Sequence, residues 1–356
     1  MVNKISIEAA LNLSNSIFID VRSPKEFKQA TISNSINIPI LDDDEKILIG
    51  NIYRNKSIEE AKSLGLRFAS SKLESIYRQI LEIKKKYKNI IIFCWRGGTR
   101  SKSVCNVLNV LGVDNVYQLE GGYKAYRRYV IDFIETKTKN IKFVVLHGLT
   151  GVGKTHILEH LERLNYPVID FEYIAKNSGS VFGNILFPDN PPTQKNFESI
   201  VFNKLYYNKS GYVLVESESK RVGNINIPDE ILKAMNNGYH ILINTNIENR
   251  IDNIYNDYIK NKEKVDEKII EAILNLKKRL GSESVEKLVN KIKIKDYRYV
   301  IRYLINNYYD SFYKYSINKF KNYDLEVNYE SILDAVKEVE IFILKTFQGK
   351  REEIKQ

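Results

Sequence analysis

The stretch Gly148-Leu-Thr-Gly-Val-Gly-Lys-Thr155 follows directly on an apolar run, Lys142 to Leu146, and leads into an amphipathic helical pattern. It spells G-x-x-x-x-G-K-[ST] in the strand–loop–helix setting that makes a phosphate cradle. Glycines let the backbone wrap closely around an anion, its N–H groups point inward, and the helix N-terminus adds partial positive charge. Gly148, Thr150, Gly151 and Gly153 are therefore expected to form the cradle. Lys154 should reach the terminal phosphates, and the Thr155 hydroxyl should help hold Mg²⁺. The bland alternative is a glycine-rich turn before a helix.

A second cradle lies upstream. Asn89-Ile-Ile-Ile-Phe93 reads as a short buried strand, and it ends in Cys94-Trp-Arg-Gly-Gly-Thr-Arg-Ser101 ahead of a helical pattern through Val104, Val107, Leu108 and Leu111. A cysteine that closes a strand before glycines and a helix sits among backbone N–H groups, an environment that favours the reactive thiolate. Arg96 and Arg100 add fixed positive charge. The spacing Cys94-x₅-Arg100 makes a loop able to surround a tetrahedral oxyanion, with Trp95, Gly97, Gly98, Thr99 and Ser101 as its remaining members. A buried structural cysteine in an ordinary β–α turn is the competing reading, but two arginines and two glycines here have little packing purpose.

With these residues in view, the N-terminal third resembles a rhodanese domain. Asp20-Val21-Arg22 with Ser-Pro-x-Glu26-Phe27 matches that family's early signature, CWRGGTRS its active-site loop, and Leu119-Glu-Gly-Gly-Tyr123 its closing turn. A rhodanese domain joined to a P-loop domain, with the loop spelled CWRGG, resembles the tRNA 2-selenouridine synthase family. Ser180-Val-Phe182-Gly183, Pro192-Thr-Gln194 with Phe197-Glu198, and Val213-Leu-Val-Glu-Ser-Glu-Ser219 with Arg221 agree with it. Where that family carries a His-Arg pair, this chain has Asn177-Ser178. The implied fold class is α/β, a rhodanese-like domain followed by a P-loop NTPase-like parallel-sheet domain and a helical C-terminal region. The resemblance also implies substrate-facing roles for Ser180 and Arg221.

The 356 residues carry 55 Lys and Arg against 44 Asp and Glu, a net charge of +11. That length predicts two domains, each with its own core. No stretch approaches the ~18 apolar residues of a membrane span, and no signal-peptide core is visible at the N-terminus. Two cysteines, Cys94 and Cys105, make neither a disulfide framework nor a cysteine-rich zinc site. Cys105, beside an apolar helical stripe, reads as a small core residue, with a resolving thiol for Cys94 as the alternative. The four histidines, at 147, 156, 160 and 240, show no metal spacing, and His156 and His160 read as packing or surface groups. A reducing cytoplasm fits this usage. Trp95, the single tryptophan, either stacks on a bound base or packs as a lid.

Residues 1–135 alternate strands (Ile17–Val21, Ile90–Phe93, Val116–Leu119) with helices, 136–140 form a polar linker, and 141–245 make the second α/β unit. Its expected strands are Phe143–Leu146, Pro167–Asp170, Tyr212–Val215 and His240–Ile243, and the region 246–356 looks wholly helical, ending in an amphipathic segment near Tyr329–Phe347. Val213-Leu-Val-Glu216 is an apolar strand ending in a carboxylate that could hold Mg²⁺ through water, with Glu218 as second candidate. Asp170 and Glu172 close the strand after the phosphate-loop helix, where a substrate-facing carboxylate and a helix cap are both reasonable. Residues 277–303 carry nine Lys and Arg against three acids, with tyrosines interleaved and continuing at Tyr308, Tyr309, Tyr313 and Tyr315. Such a stretch either contacts tRNA or is a solvated helical face. Abundant Lys, Asn, Ile and Tyr are also what an A/T-rich genome produces.

The family resemblance implies a transferase that replaces the sulfur of wobble 2-thiouridine in tRNA by selenium from selenophosphate. It further implies an S-geranylated intermediate made from geranyl diphosphate, and a selenophosphate synthetase as donor partner. On that scheme the P-loop would hold the diphosphate, while the 94–101 loop would hold selenophosphate and Cys94 would take or deliver selenium. A rhodanese-type sulfurtransferase coupled to an ATP-dependent P-loop domain shares the thiolate logic. A cysteine phosphatase shares Cys-x₅-Arg, although Phe93 stands where a helpful histidine would precede the cysteine. An RNA-binding module switched by nucleotide is the non-enzymatic reading. The geranyl pocket, the use of ATP or GTP and the oligomeric state have no signature in the sequence.

Overall fold

The computed structural model describes residues 2–178, 182, 187, 190–260, 265–311, 317, 320 and 322–348. They divide into two compact units. One comprises the chain up to Thr136 together with Thr193–Asn203, and the other the remainder.

In the first unit, β1 (Lys4–Ile5), β2 (Ser16–Asp20), β3 (Ile36–Asn37), β4 (Asn89–Phe93) and β5 (Val116–Leu119) form a wholly parallel sheet in the order β1-β5-β4-β2-β3. Every residue of β4 is buried, as expected for a parallel strand covered on both faces, which reads as an unbroken apolar run rather than an alternation. Ile19, Ile90 and Ile92 of the sheet pack with Val104, Cys105 and Leu108 of the helix Thr99–Val110 and with Ile76 and Ile80 of the helix Ile58–Lys84. The register sets Asp20 beside Phe93 and Ile92 beside Gln118. The segments that follow β2, β4 and β5 therefore emerge along one edge of the sheet, although 70 or so residues separate the first two. Residues 193–203 supply Phe197, Val201 and Phe202, all fully buried. Phe202 meets Tyr126 edge-on at 5.9 Å, and Ser199 Oγ lies 3.1 Å from Ser33 Oγ. No local pattern marks this helix, Gln194–Tyr206, as belonging largely to the first unit.

The second unit holds β6 (Lys142–His147), β7 (Val168–Ile169), β8 (Tyr212–Glu216), β11 (Tyr239–Asn244) and β12 (Leu325–Asn328) in the order β12-β11-β6-β8-β7, again all parallel. A small antiparallel pair, β9 (Arg221–Val222) and β10 (Ile225–Asn226), turns at Gly223, whose φ is +57°. One expectation is corrected. The region after Asn246 is not wholly helical, because β12 pairs with β11 through Ile241–Leu325 to Asn244–Asn328. The expected linker, 136–140, is the end of the helix Gly122–Lys137 followed by a 3₁₀ turn at Thr138–Asn140, with Thr138 buried, and the division between the two units falls at Thr136 and Lys137.

Behind the sheet, helices Ile247–Tyr258, Val265–Asn275, Ser282–Lys293 and Tyr297–Leu304 gather around Ile269, Ile273, Leu288, Ile292 and Val300. The helix Ile332–Ile343 returns to the sheet and buries Ala335, Val336 and Val339 against it. Among the described residues, no helix is long and apolar enough to cross a membrane.

Candidate functional site

β6 lies between β8 and β11, so chain connections leave it in both directions and a crevice opens beyond its carboxyl end. The phosphate loop sits there. Gly151 and Gly153 have φ of +81° and +71°. A Cβ on Gly151 would stand 2.8 Å from the Arg250 carbonyl oxygen, and one on Gly153 would stand 2.6 Å from Ile332 Cδ1. Gly148 is as tightly placed, 2.5 Å from the Ile243 carbonyl oxygen. The loop is tied from outside by Arg250 Nε donating to Thr150 O (2.8 Å), Asn253 Nδ2 to Gly151 O (2.9 Å) and Tyr329 OH to Val152 O (3.0 Å). These bonds occupy the carbonyls of Thr150, Gly151 and Val152. Arg250 is itself fixed by a buried ion pair with Asp310 at 2.5 Å.

Lys154 Nζ bonds Gly148 O at 3.1 Å, folded back across the loop it serves. The register sets Leu146 opposite Glu216, and Thr155 Oγ1 donates to Glu216 Oε1 at 2.6 Å. A cavity of about 330 Å³ opens here. Thr150, Gly151, Gly153, Lys154 and Thr155 line it on one side, and Asp170, Glu172, Glu216 and Glu218 on the other. With Glu159 and Asp257, six carboxyls line this one cavity and repel one another. Burial, and then the Glu216 charge, pushes Asp170 up to about 6. Burial and the neighbouring acids also raise Glu172 and Glu218, only partly offset by Lys154. Asp170 serves both expected roles, since it lines the cavity and caps the helix Phe171–Ala175 by accepting from Tyr173 N at 2.8 Å. Arg221 is exposed, donates to Gly223 O at 2.8 Å and is not among the cavity's wall residues. Ser180 lies outside the described residues.

The other cradle follows β4. Gly97, with φ +65°, and Gly122, with φ +57°, bring two loops into backbone contact. A Cβ on Gly122 would fall 2.2 Å from the Cys94 carbonyl oxygen and 2.5 Å from Gly97 N. Tyr123 N donates to Cys94 O at 2.9 Å and Lys124 N to Trp95 O at 3.0 Å, which fixes the start of the loop. Gln118 Nε2, reaching from β5, donates to Gly97 O (2.8 Å) and Ser101 Oγ (3.0 Å). Ser101 Oγ in turn lies 3.3 Å from Cys94 Sγ. Gly98 caps the helix Thr99–Val110 without a side chain, so the first helical N–H groups remain free for a ligand. Gln118 carries this network and escaped sequence reasoning, because a lone glutamine on a strand has no signature.

Cys94 is 3% exposed and Arg96 is exposed, making no hydrogen bond or ion pair among the described residues. Arg100 is instead committed to Glu26, Nη1 to Oε2 at 2.7 Å. Burial alone would raise the Glu26 carboxyl, but the Arg100 bond and charge, with Lys46, outweigh it and hold it below its usual range. Trp95 is 38% exposed and rests on Tyr123, with ring centres 5.6 Å apart, so one face packs and the other stays open. Beneath it the buried Arg22 bonds Asp20 (Nε to Oδ1, 2.9 Å) and the Ala30 carbonyl, its guanidinium 4.5 Å from the Tyr123 ring centre. Cys105 is fully buried, and burial together with the nearby Cys94 pushes its thiol up to about 12, as a core residue.

A family model described as the tRNA 2-selenouridine synthase AAA domain matches residues 141–340, and one for the rhodanese-like domain matches residues 6–129. The tRNA 2-selenouridine synthase of Hydrogenovibrio crunogenus is 30% identical, over 92% of this chain and 95% of its own. The chain belongs to the tRNA 2-selenouridine synthase family. The Nitrosomonas europaea member is 34% identical over 70% of this chain, a match that spans 65% of that relative's length, just under two-thirds. Among solved structures, the N-terminal domain of a Clostridium difficile 630 protein is 47% identical, covering 36% of this chain and 99% of that domain at a TM-score of 0.35.

Against the synthase family's pattern, Asn177-Ser178 keeps one foot in the site, because Ser178 lines the phosphate cavity and its Oγ lies 3.0 Å from Tyr258 OH. His156, read from sequence as packing or surface, also lines it. Its Nε2 lies 2.7 Å from Asp257 Oδ1, and that bond raises the imidazole pKa against the effect of burial. The partner is 101 residues away, which no spacing rule reports. Four of the nine basic side chains in 277–303 form ion pairs within the fold. Lys291 pairs with Asp296, Lys295 with Asp266, Arg298 with Asp252 and Arg302 with Glu248. Tyr297, Tyr308 and Tyr309 are buried, so their rings serve the helical core rather than stacking on bases. Tyr313 and Tyr315 lie outside the described residues.

Proposed function

We propose that this chain converts wobble 2-thiouridine in tRNA to 2-selenouridine through an S-geranylated intermediate. The observation that carries the reading is that a full-length match to a tRNA 2-selenouridine synthase coincides with two intact anion cradles, one with a thiol at its base. In the first half-reaction the thione sulfur attacks C1 of geranyl diphosphate, the C–O bond breaks, and diphosphate leaves. A thiocarbonyl sulfur departs poorly, and alkylation turns it into a thiolate leaving group. In the second, water takes the phosphoryl group of selenophosphate held against Cys94, the P–Se bond breaks, and the selenide, delivered from Cys94, adds at C2 of the base and expels geranylthiol.

The phosphate loop is assigned the diphosphate, with the loop N–H groups and Lys154 stabilising the departing charge. Thr155 and Glu216 fit one side of an Mg²⁺ shell, since their oxygens already lie 2.6 Å apart and the other ligands would be phosphate oxygens and water. Bound there, the ion would draw charge from the leaving diphosphate. The six carboxyls around the cavity support this assignment, because a dianion would be repelled there unless a cation came with it. The 94–101 loop is assigned selenophosphate. Its oxyanion would meet Arg96 and the free N–H groups after Gly98, with selenium against Cys94.

The test is to supply 2-thiouridine-containing tRNA, geranyl diphosphate and selenophosphate and to follow the nucleosides by mass spectrometry. Geranylated base followed by 2-selenouridine is expected. Lys154→Ala should lower geranylation by about 100-fold or more, whereas Cys94→Ser should geranylate and stop. Geranylation unimpaired by Lys154→Ala, with selenation lost, would reverse the two assignments. An unchanged base would reject the function.

A further inference from the structure

Trp95 belongs to the thiol loop and follows the buried Cys94 directly, yet 38% of its surface is exposed. The indole is held in that position. On one side it meets the Tyr123 ring, 5.6 Å between centres, and Tyr123 is itself buried against the Arg22 guanidinium at 4.5 Å. Its backbone is pinned as well, because Lys124 N donates to Trp95 O at 3.0 Å. A rigid ring with one open face loses little freedom when a flat partner stacks on it. The neighbouring charges point the same way. Arg96 and Lys124 are both exposed, and neither side chain makes a hydrogen bond or ion pair among the described residues. Each of the two loops that meet at Trp95 therefore contributes one uncommitted cation. A flat face beside free cations matches an unpaired nucleotide, whose base stacks while its phosphates are neutralised.

We propose that Trp95 is the stacking platform for the wobble base of the RNA substrate, with Arg96 and Lys124 taking the phosphates beside it. The base is unpaired in the anticodon loop, so its face is open to the indole. Stacked there, it lies next to the loop that carries Cys94, and a nucleophile delivered from that thiol needs C2 held within reach. The thione, its alkylated form and the selenium product all present a flat ring. The platform therefore holds the base through the exchange without discriminating between them. This inference deepens the reading of residues 94–101 as the selenium-delivering loop and rests on it.

The test reads Trp95 fluorescence, which reports this ring alone because the chain has no other tryptophan. The full chain is titrated with an anticodon stem-loop RNA carrying an unmodified wobble uridine, which neither half-reaction consumes. The comparison is the same RNA, abasic at that position. The uridine RNA should quench Trp95 and bind about tenfold or more tighter than the abasic RNA. By calorimetry, Trp95→Ala should abolish that difference and leave the abasic affinity as it was, whereas Trp95→Phe should keep most of it. Lys124→Ala should weaken both RNAs alike and lower the slope of log affinity against log salt by about 0.7. Unchanged Trp95 emission at saturating RNA, equal affinity of the wild type for the two RNAs, or a difference that survives in Trp95→Ala would each overturn the platform. If the wild type still converts 2-thiouridine to 2-selenouridine, only the platform falls and the proposed function stands. No binding of either RNA together with no conversion would overturn both.

Discussion

Gly122→Ala tests the joint between the thiol loop and the turn after β5. The residue holds φ +57°, and an added Cβ would stand 2.2 Å from Cys94 O and 2.5 Å from Gly97 N. Both obstacles are backbone and cannot swing aside. A left-handed conformation costs an alanine about 1–2 kcal/mol, and overpacking of this kind adds about 1–3 kcal/mol. The variant should therefore lose about 2–5 kcal/mol. Gly112→Ala is the control, since Gly112 has φ +74° but nothing within 4 Å of the added atom. It should lose only the conformational part, about 1–2 kcal/mol. Urea unfolding can be read through Trp95, the chain's single tryptophan, whose signal reports the first unit alone. The thiol offers a second readout. Moving the Cys94 carbonyl shifts the loop, so alkylation of Cys94 by iodoacetamide should change rate in Gly122→Ala and match wild type in Gly112→Ala. Cys105, buried and held as a thiol, stays out of that measurement. Equal losses in the two variants would refute the argument that backbone contact, rather than φ alone, demands glycine at position 122.

Arg22→Met strands Asp20, which is fully buried, without its countercharge, and should cost about 3–5 kcal/mol in the same Trp95-monitored unfolding; a loss under 1 kcal/mol, on the order of a surface pair, would contradict it. Asp170→Asn should act through pH. A carboxyl raised to about 6 contributes stability below its unfolded pKa, near 4, and loses it as pH rises through about 6. Asparagine keeps the helix-capping oxygen, so the variant should gain about 1–3 kcal/mol at pH 7 and nothing at pH 4. Unfolding followed by circular dichroism at the two pH values checks this, and a gain independent of pH would assign it to something other than the carboxylate.

What the sequence determined on its own is local. Each cradle is spelled by consecutive residues, because a backbone that must fold around an anion needs glycines at fixed places and a strand and helix on either side. The unbroken apolar runs of β4, β6 and β8 announce parallel strands for the same reason, each being buried on both faces. Only tertiary structure decided the rest. β12 is four residues with one buried side chain, and it becomes a strand by pairing with β11 some 80 residues earlier. The helix at 194–206 carries Phe197 and Phe202 into the first unit across a stretch that otherwise belongs to the second. Tyr297, Tyr308 and Tyr309 look alike in sequence whether they face bases or a core, and the packing of four helices turned them inward. His156–Asp257, the Gln118 network and the packing of Trp95 on Tyr123 each join residues from separate segments. Periodicity and spacing report what neighbours along the chain require, whereas contacts closed across long loops depend on which surfaces finally bury one another.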